Sequence, residues 1–155
     1  MSNQVIDINN YKFTSADAVL FDANVWLYIY GRQEDVSPRN RATYTLALRR
    51  IRSARGQIFL DGFVLSEFIN AYARFVYNKL PAESRPAEFK IFRNSAGFKP
   101  IARKIARQVR KILQKCQLTE TGLETVDWEP ILTEYAIGGA DFNDMMLAEL
   151  CKKKV

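Results

Sequence analysis

Two short apolar runs, residues 18–21 and Gln57–Leu60, each stop at an aspartate, and the stretch between them carries helical spacing. Asp22 ends the first run and Asp61 the second. Short apolar runs bounded by polar residues suit strands covered on both faces, as the strands of a parallel sheet are. Residues 38–53 set Tyr44, Leu48 and Ile51 on one helical face, and Gly56 follows as a stop signal. The product is a β-α-β unit, which commits the second strand to run parallel to the first.

The rest of the chain continues the alternation. Residues 64–80 read as the next helix, with Val64, Leu65, Phe68, Ile69, Tyr72, Phe75 and Val76 on one face before Pro81 ends it. A short helix is expected over 86–94. Pro100 then opens a longer one with Ile101, Ile105, Val109, Ile112 and Cys116 as its apolar stripe. Residues 123–126 are a weaker third strand. A helix over Trp128–Ala136 follows, and after Gly138 and Gly139 a final one runs from 141 to about 153. Nothing reads as a repeat or an interdomain linker, so one α/β domain is expected over 1–155, with 1–16 as an N-terminal extension. No apolar run approaches the roughly 18 residues of a membrane helix, and the first residues are polar, so a soluble, cytoplasmic protein without membrane contact is expected. Cys116 and Cys151 have no ligand-spaced neighbours and read as reduced, partly buried thiols.

The chain contains no histidine. Serine–histidine triads, imidazole zinc sites and histidine general bases are thereby excluded. If the protein is an enzyme, carboxylates carry its site, and such oxygen donors suit magnesium or manganese. The net charge of +6 hides a segregation: residues 39–55 hold six basic residues and no acid, and residues 85–115 hold ten against Glu88 alone. Those segments carry +15, which leaves −9 for the remainder. One positive surface for a polyanion and a separate acidic zone would result. The same counts also fit two solvated amphipathic helices.

The acids fall where they can converge. Ligands of open parallel sheets bind beyond the carboxyl ends of the strands, where Asp22 stands. On the helix after the second strand, a 100° step aligns Glu67, Asn70, Ala71 and Arg74 away from the apolar face. Asp141 and Asp144, three residues apart, share a face at the start of the last helix. Each acid also has a structural explanation. Asp22 can begin a turn, Glu67 can be solvated, Asp141 can cap a helix and Asp144 can favour its dipole.

Val19-Leu20-Phe21-Asp22-Ala23-Asn24-Val25-Trp26-Leu27-Tyr28 resembles the opening of PIN domains, in which an apolar strand delivers an aspartate, a small residue and Asn. Phe63-Val64-Leu65-Ser66-Glu67-Phe68-Ile69-Asn70 resembles the family's second acidic block, and Asp141-Phe142-Asn143-Asp144-Met145-Met146-Leu147-Ala148 the third. The resemblance spans 18–155, with the basic region at about 81–118 as a helical insertion. It implies a three-layer α/β/α fold and cleavage of RNA with Mg²⁺ or Mn²⁺, the activity of many toxins of bacterial toxin–antitoxin pairs.

Carried over, Asp22, Glu67 and Asp144 match metal-site and catalytic positions, and Asp141 is a fourth candidate. Asn24, Ser66 and Asn70 would support them by hydrogen bonds. Arg74, Arg103, Arg107 and Arg110 are candidates for holding the phosphate backbone. The expected partners are RNA, a cognate antitoxin and a second copy of the chain. PIN domains usually continue from their last helix into a strand that brings a further acid, and Lys152-Lys153-Lys154-Val155 stands where that strand should begin. The resemblance therefore implies that this strand is absent or truncated. Two other classes remain open: a PIN-like module that binds RNA without cutting it, and a protein-interaction module. A phosphotransferase of the haloacid-dehalogenase type would need a second aspartate where Asn24 stands.

Overall fold

The computed structural model describes residues 4–32, 36–119, 126–136 and 142–154. Strand β1 (Ala18–Leu20) pairs in parallel with β2 (Gln57–Leu60), Ala18 opposite Gln57 and Leu20 opposite Phe59. The far edge of β2 takes β3 (Gln117–Leu118), again parallel, with Leu60 opposite Leu118. The order is β1-β2-β3. Parallel neighbours need crossovers, and helices provide them.

The first crossover opens with a helix that the sequence reading does not contain, α1 (Ala23–Tyr30). Asp22 caps its start, and Ala23, Trp26, Leu27 and Ile29 are buried. The helix stops where the Gly31 amide bonds Leu27 O, so close that a Cβ on Gly31 would lie 2.3 Å from that oxygen. Helix α2 (Pro38–Ser53) follows with Pro38 at its first turn and Ser37 as cap, and it buries Ala47, Leu48 and Ile51. Its end uses two residues differently. Arg55 takes the left-handed conformation, φ 60°, while a Cβ on Gly56 would come within 3.1 Å of Ile51 Cγ2 and Thr14 O. A non-glycine residue in that region costs about 1–2 kcal/mol, and glycine returns about 0.5–1 kcal/mol through lost chain entropy. Arg55→Gly is therefore expected to stabilise the domain by up to about 1 kcal/mol, read as a melting temperature higher by roughly 2–4 °C. A lower melting temperature would mean that the Arg55 side chain contributes more than its backbone costs.

Arg50 of α2 pins the chain before β1, donating to Ile8 O at 3.1 Å, to Asn9 O at 3.0 Å and to Tyr11 O. Helix α3 (Gly62–Asn78) buries Val64, Phe68, Tyr72, Ala73 and Val76, a true helical stripe. The apolar set expected there is wider than the buried face, since Ile69 and Phe75 are exposed.

The basic segment forms α4 (Phe89–Arg93), a 3₁₀ turn at Ala96–Phe98 and α5 (Lys99–Leu113). It is the second crossover, since it leads into β3. Phe92, Ile105 and Ile112 join the main core beside Trp26, Phe68 and Ile51. Cys116 lies just past α5, and burial pushes its thiol up to about 12 against the opposing pull of Lys115. The third strand is thus Gln117–Leu118. Of the alternative at 123–126, Val126 lies outside any strand and the other residues fall outside the described ones. Helices α6 (Trp128–Ala136) and α7 (Phe142–Lys154) share a small cluster of Val126, Ile131 and Met146, while Leu147 reaches the main core. Among the described residues no helix is long and apolar enough to cross a membrane.

Candidate functional site

The carboxyl ends of the strands define one edge of the sheet, and two aspartates occupy it. Continuing the β1–β2 register by two residues brings Asp22 level with Asp61, on strands about 4.8 Å apart. Asp22 is half-buried. One carboxylate oxygen accepts the Ala23 amide at 2.6 Å, and the other accepts Asn24 Nδ2 at 3.2 Å. Helix capping and the Asn24 side chain together fix the direction of this carboxylate.

Asp61 is almost fully buried, 1% exposed, and caps α3. Its Oδ1 accepts the Phe63 amide at 2.7 Å. Its Oδ2 is buried and has no hydrogen-bond partner among the described residues. Buried carboxylate oxygens are ordinarily paired because losing water costs several kcal/mol, so a donor, a water or a cation that reaches Oδ2 would be stabilised there. In the sequence this strand, too, ends in aspartate, to which the motifs assign no role. The signal was available in the matched ends of the two strands.

Glu67 stands in the second turn of α3, half-buried. It lines an open hollow of about 370 Å³ with Phe63, Ser66, Asn70, Ala71 and Arg74. The residues aligned by the 100° step therefore share one surface. Asn70 Nδ2 donates to Ser66 Oγ at 3.4 Å, so these two polar groups are joined to each other. Arg74 lies with its guanidinium 4.7 Å from the centre of the Phe89 ring. Arg103, Arg107 and Arg110 are exposed on α5. Arg110 borders an apolar hollow between α3 and α5 with Ile69, Val109 and Leu113.

Asp144 is exposed in the first turn of α7, and Asp141 lies outside the described residues. Among the described residues no three His, Cys, Asp or Glu side chains are gathered as a metal-binding group. The structure thus brings Asp22 and Asp61 to one edge with Glu67 on the adjoining helix, and sets Asp144 on a separate element. Chemically, this edge offers oxygen donors alone, which bind hard cations and polarised water rather than soft metals.

A family model described as PIN domain matches residues 19–154. No curated protein and no solved structure matches the chain.

Proposed function

The chain belongs to the PIN domain family, whose members are generally nucleases, and from that membership we propose a divalent-metal-dependent ribonuclease that hydrolyses phosphodiester bonds, serving as the toxin of a toxin–antitoxin pair. The observation that carries the reading is Asp22, held by Asn24 at the carboxyl end of β1 within the matched segment. Glu67 on the adjoining helix supports it, in a chain without histidine.

Asp22, Glu67 and Asp144, with Asp141, would hold Mg²⁺ or Mn²⁺. The donor set fits, because magnesium keeps several waters and takes only one or two carboxylates directly. The buried, unpaired Oδ2 of Asp61 fits as well, as an acceptor for a cation or its water. A divalent ion bound there would acidify water and offset the charge that develops on the phosphate. The chain's own work is positional. Asn24 keeps Asp22 from rotating, Ser66 and Asn70 shape the wall beside Glu67, and Arg74 with the α5 arginines attracts the phosphate backbone.

The test is cleavage of a labelled single-stranded RNA in Mg²⁺ or Mn²⁺, with EDTA as control. Metal-dependent fragments are expected. RNA retained intact, with affinity unchanged by EDTA, would overturn the nuclease reading and leave an RNA-binding module. For the toxin role, expression of the chain should arrest growth, and co-expression of a small protein encoded beside it should relieve the arrest. Growth unaffected by an RNA-cutting chain would remove the toxin assignment alone.

A further inference from the structure

Beyond the acidic edge, the surface along α3 does not end at Arg74. A second hollow of about 650 Å³ shares Asn70 and Arg74 with the first and continues over α4 to Lys90 and Arg93. The two form one open trough. From Glu67 to Arg74 it follows seven residues of helix, about 10 Å at 1.5 Å per residue, before it crosses to α4.

The far half of this trough is rigidly built. Tyr77 of α3 packs edge-on to Phe89 with ring centres 5.6 Å apart and meets Phe92 at the same distance. Its hydroxyl donates to Pro86 O at 2.7 Å. Phe92 is buried in the main core. Helix α4 is therefore fastened to α3 by an aromatic cluster, and the backbone that carries Lys90 and Arg93 is held beside Arg74. Arg74 itself rests on the face of Phe89, which restrains its guanidinium without neutralising it. Glu88, the cap residue of α4, is the acid that shares this hollow with the three cations. At the other end, next to Glu67, Phe63 is 38% exposed.

Fixed cations along an open groove, with an exposed aromatic ring at the end beside the carboxylates, are what a single nucleic-acid strand requires. Cations follow the phosphates and the ring stacks on a base. A duplex would instead present its phosphates across a broad face. We propose that this trough is the path of single-stranded RNA leaving the acidic edge, with Phe63 stacking on a base beside Glu67, and Arg74, Lys90 and Arg93 holding the phosphates beyond. The inference rests on the ribonuclease reading for the direction of the strand. It places the close grip on RNA at α4 and leaves the arginines of α5 to attract the strand at longer range.

The experiment measures binding of a fluorescent uridine oligonucleotide in EDTA, so that its outcome does not depend on cleavage. Four variants are compared with the natural chain: Lys90→Glu/Arg93→Glu, Arg103→Glu/Arg107→Glu/Arg110→Glu, Phe63→Ala, and Phe63→Trp as its conservative partner. The α4 pair is exposed, so the melting temperature should hold. Its reversal should weaken binding about tenfold or more and lower the log–log salt slope by about 1.4, at 0.7 per phosphate on a single strand. Phe63→Ala should lose about tenfold, and Phe63→Trp should recover it. A smaller loss is expected from reversal on α5. Unchanged affinity and slope in the α4 variant, a larger loss from α5, or no binding by the natural chain would each overturn the trough. Failure of the nuclease reading would appear separately, as intact RNA in the presence of metal.

Discussion

Asp22→Asn is expected to reduce metal-dependent RNA cleavage by more than 100-fold while leaving the melting temperature within a few degrees of the natural chain. The two halves of that expectation come from the two jobs of one side chain. As the cap of α1, Asp22 uses an oxygen to accept the Ala23 amide at 2.6 Å, and asparagine caps helices about as well as aspartate. What the substitution removes is charge, with a dipole contribution of only about 0.3–1 kcal/mol. As a ligand, however, the carboxylate supplies the charge that holds a cation, and loss of a group that merely orients a ligand already costs roughly 10–100-fold. RNA affinity should be unchanged or slightly tighter, since one negative charge facing a polyanion has gone. That signature separates a catalytic role from a structural one. Cleavage by Asp22→Asn within threefold of the natural rate, or a melting temperature that falls by more than about 5 °C, would contradict it.

Asn24 refines the argument. Its amide holds the second oxygen of Asp22 at 3.2 Å from an exposed position. The small residue and Asn that follow the strand-ending aspartate thus have a mechanical reason. Ala23 is buried at the first turn, where a larger side chain has no room. Asn24 points to the surface and back to the carboxylate. Asp61 repeats the arrangement at the next strand with one oxygen left over, and no residue two positions on takes it up, since Phe63 stands there.

How much of this was legible depends on whether a segment declares its own periodicity. Pro38–Ser53 and Gln57–Leu60 are bounded in the structure as the sequence reading bounds them. Proline and a serine cap mark the start of the one, and an apolar run with a terminal aspartate marks the other. Helix α1 was invisible because its apolar residues leave no polar face to count against. Ala23, Trp26, Leu27 and Ile29 are buried while Val25, Tyr28 and Tyr30 are half-buried. Such a stretch, rich in aromatic and β-branched residues, carries no helical signature. Strand β3 was invisible for the opposite reason. Gln117 and Leu118 are both exposed, so no apolar pattern announces them, and only the open edge of β2 makes them a strand. For the site, the resemblance of three short blocks named Asp22 and Glu67, but no spacing rule could say that α3 and α4 would join two hollows through Arg74. That follows from the Tyr77–Phe89–Phe92 cluster, a tertiary contact between residues that sequence periodicity treats separately.

Trp26→Ala is expected to be the most damaging single substitution in the fold, costing about 3–5 kcal/mol. Trp26 is fully buried. Its ring meets Phe21 edge-on at 5.2 Å and lies nearly parallel to Tyr30 at 6.1 Å, so truncation strips partners from both the end of β1 and the end of α1. A domain of this size holds only about 5–15 kcal/mol in total, and at roughly 2–4 °C per kcal/mol the melting temperature should fall by on the order of 10 °C. The indole Nε1 has no hydrogen-bond partner among the described residues, so Trp26→Phe gives up area and shape but no polar contact, and it should cost clearly less than the alanine. The consequence for the site follows from chain order. Trp26 is one helical turn beyond Asp22, and the carboxylate is aimed by the first turn of the same helix. Below its lowered melting temperature, the alanine variant should therefore lose metal-dependent cleavage as well, whereas binding of RNA through α4 should persist for as long as α3 and α4 stay folded. Denaturant unfolding of the two variants beside the natural chain provides the measurement. If Trp26→Ala unfolds within about 1 kcal/mol of Trp26→Phe, the packing of α1 against Phe21, α2 and α3 is not what holds Asp22 in place.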